Sequence, residues 1–221
     1  MTTRRRSEDG FRRGSRQGGF ALGALAISAL ALAMAVLGTG CGDDERPPGG
    51  PVGQCEGRVV ELEGEPGLHV SPGAPISWSS NPPATGKHYP TWAGWFRSYS
   101  SLERGYWMHN AEHGGVILLY RCPEGCAEDL AALIAVAQAR PQDPMCALPV
   151  QNRVMVVADP LLPEGTKIAA VAWNAYYTAS CVDAAALTAF VDGHYGRAPE
   201  DFCSDGLPMG GTRIPAPIAI H

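Results

Sequence analysis

The chain has 221 residues, with 17 Lys or Arg against 22 Asp or Glu and a formal net charge of −5. Six of the basic and two of the acidic residues fall in the first 40 positions, so the remainder carries 11 basic and 20 acidic residues, a net of −9. An acidic remainder argues against nucleic acid and anionic membrane surfaces as partners.

The first 40 residues read as a targeting segment. Arg4, Arg5, Arg6, Arg12, Arg13 and Arg16 precede an apolar, Ala/Leu-rich run from Phe20 to Leu37, and Gly38, Thr39 and Gly40 then lead to Cys41. A charged region, an apolar region and small residues before a cut describe a secretory signal peptide. The cysteine after the small residues resembles a lipobox, which would make Cys41 the lipidated N-terminus, although Gly38 stands where leucine is usual. An uncleaved anchor helix is the alternative, because the apolar run is long. A twin-arginine reading of Arg12-Arg13 is poorly matched by Gly14 and Ser15. The expectation is an exported lipoprotein, membrane-anchored by its lipid at the periplasmic face or at the outer membrane or cell surface. Gly42, rather than Asp, after Cys41 points towards the outer membrane. Residues 41–54, rich in Pro and Gly, are a flexible tether.

With Cys41 assigned to lipid, Cys55, Cys122, Cys126, Cys146, Cys181 and Cys203 remain. An even number in an exported domain predicts up to three disulfides, with the pairing open and a four-cysteine zinc site as the competitor. Cys122 and Cys126 have three residues between them rather than the two of thioredoxin-type sites, which favours a structural disulfide.

In chain order, Gly57–Glu63 reads as a strand, and Gly64–Ala84 as a Pro/Gly-rich loop containing His69. Pro82 and Pro83 stiffen the segment Asn81–Trp95, and Gly86 permits a tight turn, so His88 sits on a rigid loop beside Trp92 and Trp95. The apolar run Val116–Tyr120 is the clearest strand. Ala127–Ala139 is an amphipathic helix with Leu130, Leu133, Ile134 and Ala137 on one side. Arg153–Ala158 and Lys167–Trp173 are two further strands, and Val182–Val191 a second helix. The reading is a single compact α+β domain over residues 55–205, a small disulfide-stabilised sheet with helices packed on one face. Residues 206–221 form an extended C-terminal tail.

Chemistry concentrates in Trp107–Tyr120, WMHNAEHGGVILLY, where His109, Glu112 and His113 fall within five residues. On a helix these positions share one face, and the letters H-x-x-E-H match inverted zinc metalloproteases. The following Gly114-Gly115 and β-type run do not suit a protease helix. A metal site of another kind does fit: His88, His109 and His113 as nitrogen ligands on two stiff loops, with Glu112 as fourth ligand or hydrogen-bond acceptor. Met108 would suit copper(I), and His194, read in a loop after the last helix, is a further metal candidate. The alternative is that these histidines only hydrogen-bond Glu112 and backbone groups. His69 and His221 read as structural.

Two segments, PPATGKHY from Pro82 to Tyr89 and HNAEHGGV from His109 to Val116, resemble the paired motifs of the bacterial and archaeal domain-of-unknown-function family 3105. Pro199-Glu200 resembles that family's closing segment, and the likeness covers roughly residues 81–201. The resemblance implies an exported or membrane-anchored domain in which His88, His109, Glu112 and His113 form one site, and it supplies no activity. The expected function is metal binding, copper or zinc. A metal-dependent enzyme with Glu112 as general base and a structural or adhesive surface lipoprotein without metal are the other readings.

Overall fold

The computed structural model describes residues 55–123 and 125–217; the signal segment, Cys41 and the tether lie outside the described residues. In chain order the elements are β1 (Gly57–Glu61), β2 (Arg97–Tyr99), α1 (Arg104–Glu112), β3 (Val116–Tyr120), α2 (Ala127–Ala139), β4 (Val154–Ala158), β5 (Ile168–Ala172), β6 (Ala175–Ala179), α3 (Ala184–His194) and β7 (Thr212–Arg213). The seven strands form one sheet in the order β1-β6-β5-β3-β4-β2-β7.

The sheet is organised by β3. Val116, Ile117, Leu118 and Leu119 are completely buried, each contributing about 1.5–3 kcal/mol on removal from water. A run of apolar residues without alternation needs cover on both faces, which places the strand mid-sheet. There β3 pairs in parallel with β4 and antiparallel with β5. The parallel pair is joined through α2, as a parallel connection requires a crossover. The helices α2 and α3 pack against each other and on the central strands, the layer expected of the α+β class.

The sequence reading finds β1, β3, β4, β5, α2 and α3 nearly in place, and the structure adds four elements. The strand β6 follows β5 through the two-residue turn Trp173-Asn174, where Asn174 takes φ 64°, a conformation asparagine tolerates. The strands β2 and β7 are three and two residues long, too short to show a period. The tail is drawn into the fold, since β7 pairs with β2 and Ile214 is 1 % exposed. The helix α1 is the consequential addition, because it carries the site. Its sequence RGYWMHNAE is rich in weak helix formers, and six of its last seven residues, Trp107 to Glu112, are buried without a polar stripe. No amphipathic period announces it.

Three disulfides close the domain: Cys55–Cys181, Cys122–Cys126 and Cys146–Cys203. The first ties β1's start to the approach to α3. The last ties the segment after α3 to the loop before β4.

Candidate metal centre

The site begins where α1 ends. His113 is the C-cap residue, and Gly114 adopts φ 81°. Gly114 N–H donates to Ala111 C=O (3.0 Å) and Gly115 N–H to Asn110 C=O (3.1 Å), the paired bonds of a glycine-terminated helix. The Gly114-Gly115 pair is therefore the helix stop, not evidence against a helix. His109 and Glu112 project from the last turn rather than from a loop, and His113 continues their face. A helix C-terminus also favours a cation nearby.

A second layer holds this corner. Gly196 N–H donates to Gly114 C=O (2.9 Å) and Glu200 N–H to Glu112 C=O (3.1 Å), satisfying carbonyls that a helix end leaves unpaired. Arg153, 1 % exposed, donates from Nη1 to His113 C=O (2.7 Å) and from Nε to Asp143 (3.0 Å). Burial alone would raise the Asp143 carboxyl, but hydrogen bonds from Tyr195 and the Met145 N–H and the Arg153 charge hold it below its ordinary value. Asn110 accepts from Ala93 N–H (3.0 Å) and donates to Ala93 C=O (2.9 Å), which pins the loop bearing Trp92 beside the helix. The Trp92 ring lies 4.5 Å from that of His113, and the Phe202 ring lies 4.0 Å from it.

His88 arrives on the proline-stiffened loop. Gly86 makes the expected turn at φ 96°. His88 N–H donates to Leu68 C=O (3.1 Å), and Val70 N–H donates to His88 C=O (2.9 Å), a parallel bridge that sets His69 and His88 side by side. The Nδ1 atoms of His88 and His109 face the carbonyls of Gly86 (3.0 Å) and Tyr89 (2.6 Å). A carbonyl only accepts, so both Nδ1 atoms carry the proton, and Nε2 is the one nitrogen each ring has left to offer as a ligand. His88 Nε2 is buried 2.9 Å from Glu112 Oε2, yet it has no hydrogen-bond partner. The contact lacks hydrogen-bond geometry, and a ring nitrogen set this close to a carboxylate without a hydrogen bond is an arrangement that a shared cation satisfies. A Cβ at Gly67 would overlap Glu112 Oε1, so glycine there leaves the carboxylate its place.

Burial, reinforced by the neighbouring imidazoles, lowers His109 to about 4 and His113 to about 3. Both rings are therefore neutral at pH 7, the form that binds metal.

The structure gathers His88, His109, Glu112 and His113 into one cluster but places His88 and His113 in different ligand sets, and it adds two residues that the sequence reading takes as structural or leaves aside. His69, Glu112, His88 and His109 offer ligand atoms within 4.8 Å of one another, as do His109, Glu112, His113 and Glu200. The exposed His69 ring stacks on His109 at 4.8 Å. Glu200 Oε2 lies 3.2 Å from His113 Nε2. His69 lies outside both motif segments, and Glu200 lies in the closing segment, where no local spacing marks its carboxylate as a donor.

Two candidates fall elsewhere. Met108 is fully buried in the hydrophobic core, about 100° round the helix from His109. His194 is the last residue of α3, not a loop residue; its Nε2 lies 2.8 Å from Glu61, its Nδ1 2.8 Å from Phe190 C=O, and its ring stacks on Phe190. The six cysteines are consumed in disulfides, so none is a thiolate ligand.

A family described as "Protein of unknown function (DUF3105)" matches residues 69–205. The chain belongs to this family. The matched span of the DUF3105 domain begins at His69 and passes Glu200, so it contains all six clustered donors. No match to the chain is found among curated proteins or solved structures.

Proposed function

We propose that this DUF3105 domain binds a transition metal, copper or zinc, at the cluster formed by His88, His109, Glu112 and His113. The observation that carries this reading is the pair of Nδ1–H bonds to backbone carbonyls, at 3.0 and 2.6 Å, which fix two buried imidazoles with their Nε2 atoms free beside a carboxylate. Such outer hydrogen bonds are how proteins orient histidine ligands. Zinc bonds of about 2.0–2.1 Å at the tetrahedral angle put ligand atoms about 3.3 Å apart. The His88–Glu112 and His113–Glu200 pairs, at 2.9 and 3.2 Å, already stand near that spacing. With Met108 in the core and the cysteines paired, the donors are imidazole and carboxylate, which suit zinc or copper(II) rather than copper(I).

We further propose that the domain works outside the cytoplasm, held by lipid on Cys41 and the tether over residues 41–54. Three disulfides in the described domain support an oxidising compartment.

The test is metal content. Residues 42–221, produced in an oxidising compartment, go to elemental analysis beside a His109→Ala/His113→Ala double variant. Near-stoichiometric copper or zinc in the parent protein and none in the variant supports the reading. No metal in either, with the variant merely less stable, leaves the cluster a structural knot and refutes it.

A further inference from the structure

Six donor side chains exceed what one tetrahedral ion takes. They fall into two sets, His69, His88, His109 and Glu112, and His109, Glu112, His113 and Glu200, each within 4.8 Å internally. The sets overlap only at His109 and Glu112. His109 has one nitrogen to offer, because its Nδ1–H is committed to the Tyr89 carbonyl at 2.6 Å. It can therefore serve one ion. Glu112, with two oxygens, can serve two. Each set also has its own close donor pair, His88 Nε2 with Glu112 Oε2 at 2.9 Å and His113 Nε2 with Glu200 Oε2 at 3.2 Å. His88 Nε2, in a residue with no solvent exposure, has no hydrogen-bond partner beside that carboxylate.

We infer that the cluster is a two-metal centre bridged by the Glu112 carboxylate, with His69 and His88 on one ion, His113 and Glu200 on the other, and His109 completing one of the two. The inference rests on the metal-binding reading above and deepens it. Paired ions of this kind stand about 3.5–4 Å apart. The imidazoles are neutral ligands, so two divalent ions against two carboxylates leave a surplus of two positive charges. Each ion has fewer than four protein ligands if His109 serves the other, and an anionic oxygen donor fits the open positions. The terminal ligands of both sets, His69 and Glu200, are exposed, the Glu200 side chain to 52 %. The second ion thus has a route from solvent, and either terminal ligand can be changed without opening the core.

The experiment is a zinc titration by equilibrium dialysis of the full chain in detergent, followed by copper(II) loading and electron paramagnetic resonance. The expected result is two equivalents per chain and a spin-coupled copper pair. Glu200→Gln is expected to weaken one equivalent more than about 100-fold, beyond the loss seen when only an outer-shell partner is removed, with the metal-free melting temperature unchanged. His69→Gln is expected to weaken the other. One equivalent in the parent chain, or a magnetically isolated copper signal, overturns the two-metal centre while leaving single-ion binding intact. Two equivalents that Glu200→Gln leaves unaltered overturn the assignment of ligands. No equivalents at all overturn both readings.

Discussion

Replacing Arg153 tests whether the corner that holds His113 is built as described. The side chain is 1 % exposed, and its guanidinium bonds Asp143 Oδ2 at 3.0 Å, the His113 carbonyl at 2.7 Å and the Asp201 carboxylate at 2.5 Å. Tyr195 O–H donates to the same Asp143 oxygen at 2.6 Å and accepts from Arg153 N–H at 2.8 Å. Arg153→Met keeps much of the stem's packing but leaves Asp143, 6 % exposed, without its cation and the His113 carbonyl without that donor. Removing one partner of a buried pair costs about 3–5 kcal/mol. For a domain of this size that is a fall of roughly 6–20 °C in melting temperature. Adding Asp143→Asn, which removes the stranded charge, is expected to recover about 1 kcal/mol or more of the loss. Urea unfolding of the parent, both single variants and the double gives the cycle, and zinc titration of Arg153→Met reads the effect on the site. Stability within about 1 kcal/mol of the parent, together with unchanged zinc affinity, would refute the role given to Arg153.

Zinc at 1,000 times its dissociation constant is expected to stabilise the folded chain by about 4 kcal/mol, a rise in melting temperature of about 8–16 °C, and His109→Ala is expected to abolish the rise; a scan with and without chelator decides it. Acid should destabilise the metal-free domain, because His109 and His113 fall from an ordinary 6.5 to about 4 and about 3 in the fold. The unfolded chain then takes up protons first, so their contribution is intact above pH 6.5 and is lost as the pH falls through about 4 and then about 3. Denaturation midpoints of the parent and of His109→Gln at pH 7.5 and 5 check it: equal pH dependence in the two proteins contradicts the shift at His109. Gly67→Ala should push the Glu112 carboxylate aside and weaken zinc about 10–100-fold, while the apo protein loses less than about 1 kcal/mol, since the displaced atom ends a flexible side chain; calorimetry and thermal melts separate the two effects.

Local chemistry made part of the site legible. The H-x-x-E-H spacing announces a shared face once the residues are helical, and the proline pair with Gly86 announces a stiff loop around His88. The same letters also misled. Gly114-Gly115 looks like the beginning of a strand region, and it is that, but it is first the stop that terminates a buried helix. A helix buried on all sides carries no period of 3.6 to read. His69 reads as structural from the sequence, because only a single parallel bridge between two irregular segments sets it beside His88. Glu200 lies far from His113 in sequence, and the bond from its N–H to Glu112 C=O, with the Cys146–Cys203 disulfide three residues on, holds its segment against the helix end.

The sequence by itself determined the apolar central strand, the amphipathic α2, the even set of cysteines and the identity of four clustered donors. Each of these is a matter of composition or short spacing, and each acts over a few residues. Only the tertiary structure decided which cysteines pair, that β3 lies between a parallel and an antiparallel neighbour, that Met108 and His194 turn away, and that His69 and Glu200 complete the cluster. The physical reason is range. A helix face or a stiff turn is set by neighbours along the chain, whereas this cluster of donor side chains is assembled from segments 131 residues apart, His69 to Glu200, and exists only after the core has packed.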